Sequence, residues 1–184
     1  MTELTAMRGK LLISFLFAGT IYMMLVMRFH GKPLMQVPTA QAGILSLEFA
    51  KTKTRAAEIV TAWSSISSKN LRQHAIINTH IDFAFILFYS LFLFTACYAF
   101  SMYQQGSLRS ISKTISLFGL KAGLPDVVEN FFLLRMLHNY FSEAEVRLTW
   151  WLALIKFSLA AIAVLWILFS LVHLLIKKPK SSFI

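Results

Sequence analysis

A single cysteine, Cys97, occurs among 184 residues. No disulfide can form within the chain, and no CxxC redox pair or cysteine-based zinc site exists. Cys97 itself lies inside an apolar run, where a lone cysteine behaves as a small hydrophobe. Charge is scarce too: 14% of the residues are Asp, Glu, Lys or Arg, against about 25% in an ordinary soluble domain. Acidic residues are the scarcest, 8 against 18 basic ones. Internal repeats are absent, which disfavours a transporter built from inverted halves.

Apolar surface is what the chain has in excess, with 57% hydrophobic residues. A soluble fold of this length cannot hide so much of it, whereas lipid can accept it. The length suits one compact domain. The net charge of +10 raises the question of nucleic acid. The basic residues, however, cluster at the ends of apolar runs, and no basic helix or stacking motif accompanies them. At those positions they act as membrane-surface anchors and topology signals.

Four apolar segments stand out: residues 11–27, 83–103, 114–137 and 148–176. A spanning helix needs roughly 20 residues, and each segment reaches or approaches that length. The first has a basic flank at Arg8 and Lys10. It continues to Met27 without a small-x-small cleavage site, so it reads as a retained helix rather than a signal peptide. The expected fold is an all-α membrane protein, a bundle of four transmembrane helices plus an extramembrane amphipathic helix.

Four spans put Arg8 and Lys10, the Arg109–Lys113 link, and Lys177, Lys178 and Lys180 on one side of the bilayer. The positive-inside rule makes that side cytoplasmic. The loop over residues 28–82 then lies outside. It holds seven basic residues, but long loops count little in that rule. Gly31, Pro33 and Pro38 give the loop an irregular start. A helix is expected from Ser46 to Ser65, with Phe49, Ala56, Val60 and Trp63 on one stripe and Lys51, Lys53 and Arg55 largely elsewhere. Such a helix lies on the membrane or over the mouth of the bundle.

Ionisable side chains inside a membrane are costly, and they face a bundle interior or a water-filled cavity. In the third segment Asp126, Glu129 and Asn130 are spaced i, i+3, i+4 and share a face. Pro125 removes an N–H there. Gly119 and Gly123 form a small-xxx-small pair that admits a close neighbour. Lys121 and Arg135 point elsewhere and snorkel toward the two ends. His74, Asn78, Asp82 and Tyr89 form one stripe leading into the second span. Thr149, Lys156, Ala163 and Ser170 form a heptad stripe on the last.

With the outer boundary near Asn78, His138 and Leu148, helical rise puts Tyr89, Asp126, Glu129 and Lys156 about 12–18 Å deep, and Asp82 about 6 Å deep. The candidate polar cluster is therefore Asp82, Tyr89, Asp126, Glu129, Asn130 and Lys156. Lys156 is expected to pair with Glu129 or Asp126. The pair either holds the helices in register or forms part of a site for a small ligand, proton or substrate.

No cofactor or metal motif is present. His74, His80 and His138 are metal-ligand types, but their spacing matches no known site. His173 and His138 lie near opposite ends, unsuited to a haem.

Leu47-Glu48-Phe49-Ala50, Ala62-Trp63, Asp82-Phe83 with Tyr89, and Asp126-Val-Val-Glu129-Asn130 together resemble a group of small bacterial four-helix membrane proteins of uncharacterised function. That resemblance implies a bacterial cytoplasmic-membrane protein and names no reaction. A weaker likeness is to the four-helix sterol-isomerase and sigma-2-receptor group, which place acidic residues in a membrane pocket; it carries no residue-by-residue motif. The expected role is a non-enzymatic subunit or accessory of a membrane complex, or a binder of a hydrophobic small molecule. The alternative is a membrane-embedded enzyme acting on a lipid or isoprenoid. The expected partners are the lipid bilayer and either other membrane-protein subunits or that small molecule, and no nucleic acid.

Overall fold

The computed structural model describes residues 3–65 and 70–176. Lys177, Lys178 and Lys180, part of the orientation argument, lie outside the described residues. Among the described residues every regular element is helical. Six α-helices run in order: α1 Glu3–Gly31, α2 Ile44–Glu48, α3 Lys53–Ser65, α4 Leu71–Tyr103, α5 Gly106–Leu137 and α6 Glu143–Ile176. Two 3-10 turns, Lys32–Gln36 and Pro38–Ala40, join α1 to α2. Helices α1, α4 and α6 are each long and apolar enough to cross a membrane, and they mark the chain as a membrane protein. Helix α5 is equally long, at 32 residues, but carries the charges noted above. It packs along both α4 and α6.

The long helices begin well before their apolar stretches. Helix α4 starts at Leu71, where the Asn70 side chain accepts from the Gln73 N–H at 3.1 Å and caps the first turn. Helix α5 ends in a Schellman turn: Asn139 adopts φ 62°, and the N–H groups of Asn139 and Tyr140 return to the carbonyls of Met136 and Arg135. Helix α6 opens with a reciprocal capping box between Ser142 and Glu145.

The contact between α4 and α5 is tight because two glycines permit it. A Cβ added at Gly119 would lie 2.6 Å from Leu93 Cβ and 3.0 Å from the Leu93 backbone. One at Gly123 would meet Ile86 and Ser90 at 3.2 and 3.3 Å. The small-xxx-small pair thus lets two backbones approach. At the far end of these helices, Gln104 in the α4–α5 turn donates to Ser170 on α6 at 3.0 Å and accepts from Ser112 on α5. Trp166 donates to Ser112 at 2.7 Å. These bonds satisfy buried polar groups and tie the turn to α6.

The loop departs from expectation in one respect. There is no continuous helix from Ser46 to Ser65. Helix α2 stops at Glu48, Phe49 to Thr52 form a break, and α3 begins at Lys53. The break turns Phe49 out of the stripe. It is 38% exposed and stacks on Phe157 of α6 with ring centroids 5.9 Å apart. Ala56, Val60 and Trp63 are fully buried, and Lys51, Lys53 and Arg55 are exposed.

The buried face of α3 covers one end of the bundle. Ala56, Ile59, Val60 and Trp63 form a core with Leu71, Ala75, Leu133, Met136 and Val146. Polar ties reinforce it. Trp63 donates to the Leu34 carbonyl at 3.3 Å, and Arg55 to the Thr39 carbonyl at 2.7 Å. The Lys53 N–H donates to Glu143 at 2.7 Å. Asn78 on α4 donates to the Met27 carbonyl near the end of α1 at 2.7 Å, tying the two helices together.

Candidate functional site

Beneath the cap, buried ionisable groups converge on Lys156. The stripe Thr149, Lys156, Ala163 and Ser170 of α6 faces inward along its whole length, each member buried. Its small residues let α5 approach, and Lys156 projects from it toward the carboxylates. The Lys156 Nζ lies 2.8 Å from Asp126 Oδ1, 3.1 Å from Glu129 Oε2 and 3.2 Å from Glu48 Oε2. Asp126 and Glu129 both reach it because i and i+3 share a face of α5.

A hydrogen-bond chain extends from this centre onto α4. Asp126 Oδ2 accepts from the Tyr89 hydroxyl at 2.8 Å. Asp126 thus bridges a phenol and an ammonium, one on each oxygen. Asn130, one residue beyond Glu129, donates to Asp82 Oδ2 at 2.8 Å. All six expected residues are buried, and the structure joins them in two groups. Asp126 and Glu129 contact the Lys156 ammonium and Tyr89 joins them through Asp126, while Asp82 and Asn130 form a neighbouring neutral–acidic pair. Among the described residues Asp82 has no ion-pair partner within 4.0 Å.

Glu48 completes the cluster and was not among the expected site residues. It comes from the segment between α1 and α4, at the last position of α2. The break after Glu48 frees α2 to dip toward the bundle. Gly43 makes the preceding turn with φ 62° and ψ −134°, a conformation that residues with a Cβ adopt only under strain. The available sequence signal was an acid set among Leu45, Leu47, Phe49 and Ala50.

Three carboxyl groups, those of Glu48, Asp126 and Glu129, therefore surround a single ammonium, and a fourth, Asp82, lies beside them on Asn130. Glu129 is fully buried, and neither of its oxygens has an aligned hydrogen-bond donor despite the nearby ammonium. Lys156 stands where a cation would stand among three of the carboxylates. Among the described residues no group of three or more His, Cys, Asp or Glu side chains is arranged to hold a metal ion. His80 and His138 are exposed. His138 instead contacts the Leu134 carbonyl at the end of α5.

The cluster is not sealed. A cavity of about 780 Å³ reaches Glu48, Asp82, Tyr89, Asp126 and Lys156. Its remaining wall is almost wholly apolar, supplied by residues such as Phe17, Ile21, Phe85, Ala160 and Leu168, and Arg28 is the other basic residue on it. This volume lies in the range of small-molecule sites, and an apolar wall with a few convergent polar groups is their usual character. Loop residues Met35, Gly43, Ile44 and Leu45 line it from the cap side. The chain matches no protein-family model, no curated protein and no solved structure.

Proposed function

We propose that the protein binds a hydrophobic small molecule taken from the lipid phase, with the molecule's polar head held at the Asp82–Tyr89–Asp126–Lys156 cluster. The observation that carries this reading is the apolar cavity of about 780 Å³ ending on buried ionisable side chains. Its apolar wall suits a hydrophobic body and its ionisable end a polar head. Buried membrane charges, in turn, commonly mark ligand or ion pathways.

In the proposed setting α5 is the fourth span. Its charged and amide groups Asp126, Glu129 and Asn130 are turned inward, Asp126 and Asn130 hydrogen-bonded and Glu129 beside the Lys156 ammonium, which lowers their cost in lipid. Both termini lie in the cytoplasm of a bacterial cell, and the cap formed by residues 32–65 lies outside, in accord with Arg8, Lys10, Arg109 and Lys113.

The test is extraction into native-membrane discs followed by mass spectrometry of bound molecules. A hydrophobic species should accompany the wild-type protein near one-to-one, and Asp126→Asn should reduce it by about tenfold, the equivalent of one lost good interaction. Recovery of bulk lipids alone, in membrane proportions, would refute the reading.

A second reading draws on Asp126, which accepts from both Tyr89 and Lys156 at 2.8 Å. That arrangement suits Asp126 as a general base that takes a proton from a bound lipid or isoprenoid, oriented by Tyr89. Conversion of the retained molecule on incubation, abolished by Tyr89→Phe while binding persists, would favour an enzyme over a binder.

A further inference from the structure

The cavity at the polar cluster does not end in the middle of the bundle. A second cavity of about 610 Å³ lies toward the opposite end, lined by Gly9, Lys10, Ser14, Ala96, Ala99 and Tyr103 among others. The two share Phe17, Phe92, Ile167 and Leu171 in their walls, so they meet at these residues. Helices α1, α4 and α6 line both, and the first is completed by residues 35–48 and by Asp126 of α5. Helix α1 packs along α4 and has almost no contact with α6. The space between α1 and α6, floored by α4, is therefore one long groove open toward lipid.

Its length follows from helical rise. Asp82 lines the first cavity and Tyr103 the second, and the 21 steps between them on α4 span about 31 Å. The whole hydrocarbon core of a bilayer is about 30 Å thick. An ordinary lipid tail occupies one leaflet, roughly half of that. The groove is therefore about twice as long as such a tail.

Its charge is also uneven. The polar end holds four carboxyls, three of them on the Lys156 ammonium, against two basic groups, Lys156 and Arg28, and among the described residues Asp82, which lines the cavity, is hydrogen-bonded only to the neutral Asn130. A positively charged head beside Asp82 would complement that excess and remain hydrogen-bonded inside an apolar wall.

Resting on the ligand-binding reading above, we propose that the groove holds a single-tailed amphiphile with a positively charged head at Asp82 and a tail about twice the length of one leaflet, running past Phe17 and Phe92 to the Ala99–Tyr103 end. The far cavity rewards only a tail that passes Phe17, Phe92 and Ile167, which border both cavities.

The experiment uses the full chain in phosphatidylcholine vesicles with two synthetic primary amines. Each carries a photoactivatable group at the tail end, one with a leaflet-length tail and one about twice as long. Labelled residues are mapped by mass spectrometry. The long amine should label Ser14 and the Ala96–Tyr103 stretch, and the short amine Phe17, Phe92 or Ile167. The matching long alcohol should compete about tenfold less well, a difference that Asp82→Asn should erase. Ala99→Trp should stop the long probe reaching the far cavity while leaving labelling by the short one intact. Ser14→Trp, on the facing helix, repeats this test should Ala99→Trp not fold.

Identical labelling by both tails, or labelling spread over the outward residues Leu124, Phe131 and Leu165, would overturn the groove proposal. Equal competition by amine and alcohol would overturn the charged head. If even the short amine fails to label the upper cavity, whereas a native hydrophobic species is still retained on purification, this proposal falls and the broader ligand-binding reading stands. If no species is retained either, both fall.

Discussion

Helix α4 has two differently built neighbours. Toward α5 it packs closely: Gly119 leaves no room for a Cβ against the Leu93 backbone, a Cβ at Gly123 would press on the Ile86 and Ser90 side chains, and buried polar groups bridge the helices. Toward α1 it packs through aromatic rings. Phe15 meets Phe88 at 5.9 Å, and Phe17 meets Phe92 at 5.2 Å between centroids. Of the residues of α1 whose side chains are described, only Leu16 is fully buried. Glycine contacts fix a distance with little tolerance, whereas rings can turn and shift. The comparison separates a rigid wall, which carries the charges, from an adjustable one, which borders the cavity. The proposed binding site, filled from lipid, would benefit from having one of each.

The sharpest way to break this division is at the charges. Lys156→Met should cost about 3–5 kcal/mol, because it leaves buried carboxylates without their cation. Adding Asp126→Leu should recover part of the loss, since replacing both members of a buried pair with apolar groups costs far less. Unfolding in detergent, analysed as a double-mutant cycle, measures the coupling. Additivity within a few tenths of a kcal/mol would show that α5 and α6 are not held by this contact.

The α4–α5 wall comes next. Gly119→Val should destabilise by about 1–3 kcal/mol, because the added atoms meet Leu93 backbone that cannot yield. A thermal melt unchanged from wild type would refute the close approach. Gly43→Ala should cost a similar or smaller amount, about 1–2 kcal/mol, through its φ of 62°. It should also loosen Glu48, a change read as increased proteolysis of the 32–52 segment relative to the rest of the chain.

The smallest effect belongs to the α1 side. A Cβ at Gly19 would come within 2.3 Å of the Phe88 ring, nominally a worse clash than at Gly119. The obstacle there is a side chain bordering lipid rather than backbone. Gly19→Ala also gains about 1 kcal/mol of helix propensity. Its net effect should fall within about 1 kcal/mol of zero in the same unfolding assay. A loss as large as that of Gly119→Val would show that the α1 contact is as rigid as the α5 contact, and the comparison would fail.

Much of the polar interior can be traced to spacing. Asp126, Glu129 and Asn130 share a face by i, i+3, i+4 arithmetic, and Thr149, Lys156, Ala163 and Ser170 lie seven apart. Such periodicities survive folding because a long helix in lipid has no alternative way to satisfy its backbone. Asp82 and Tyr89 were readable on the same grounds. Glu48 was not, because its position depends on a break at Phe49–Thr52 that no helical period encodes. The stripe through Phe49, Ala56, Val60 and Trp63 gave no sign that the first of these belongs to a different element from the other three.

Composition and periodicity by themselves determined that this is a helical membrane protein, and which faces of its long helices are polar. They did so because water and hydrocarbon sort side chains by local pattern alone. The tertiary structure decided that Lys156 meets three carboxylates rather than one, that a loop acid joins them, and that α1 stands apart from α6. Those outcomes depend on the distances between helices and the path of a loop, set by glycine contacts, ring packing and a strained turn. Each is a relation between residues far apart in the chain, and no local pattern records it.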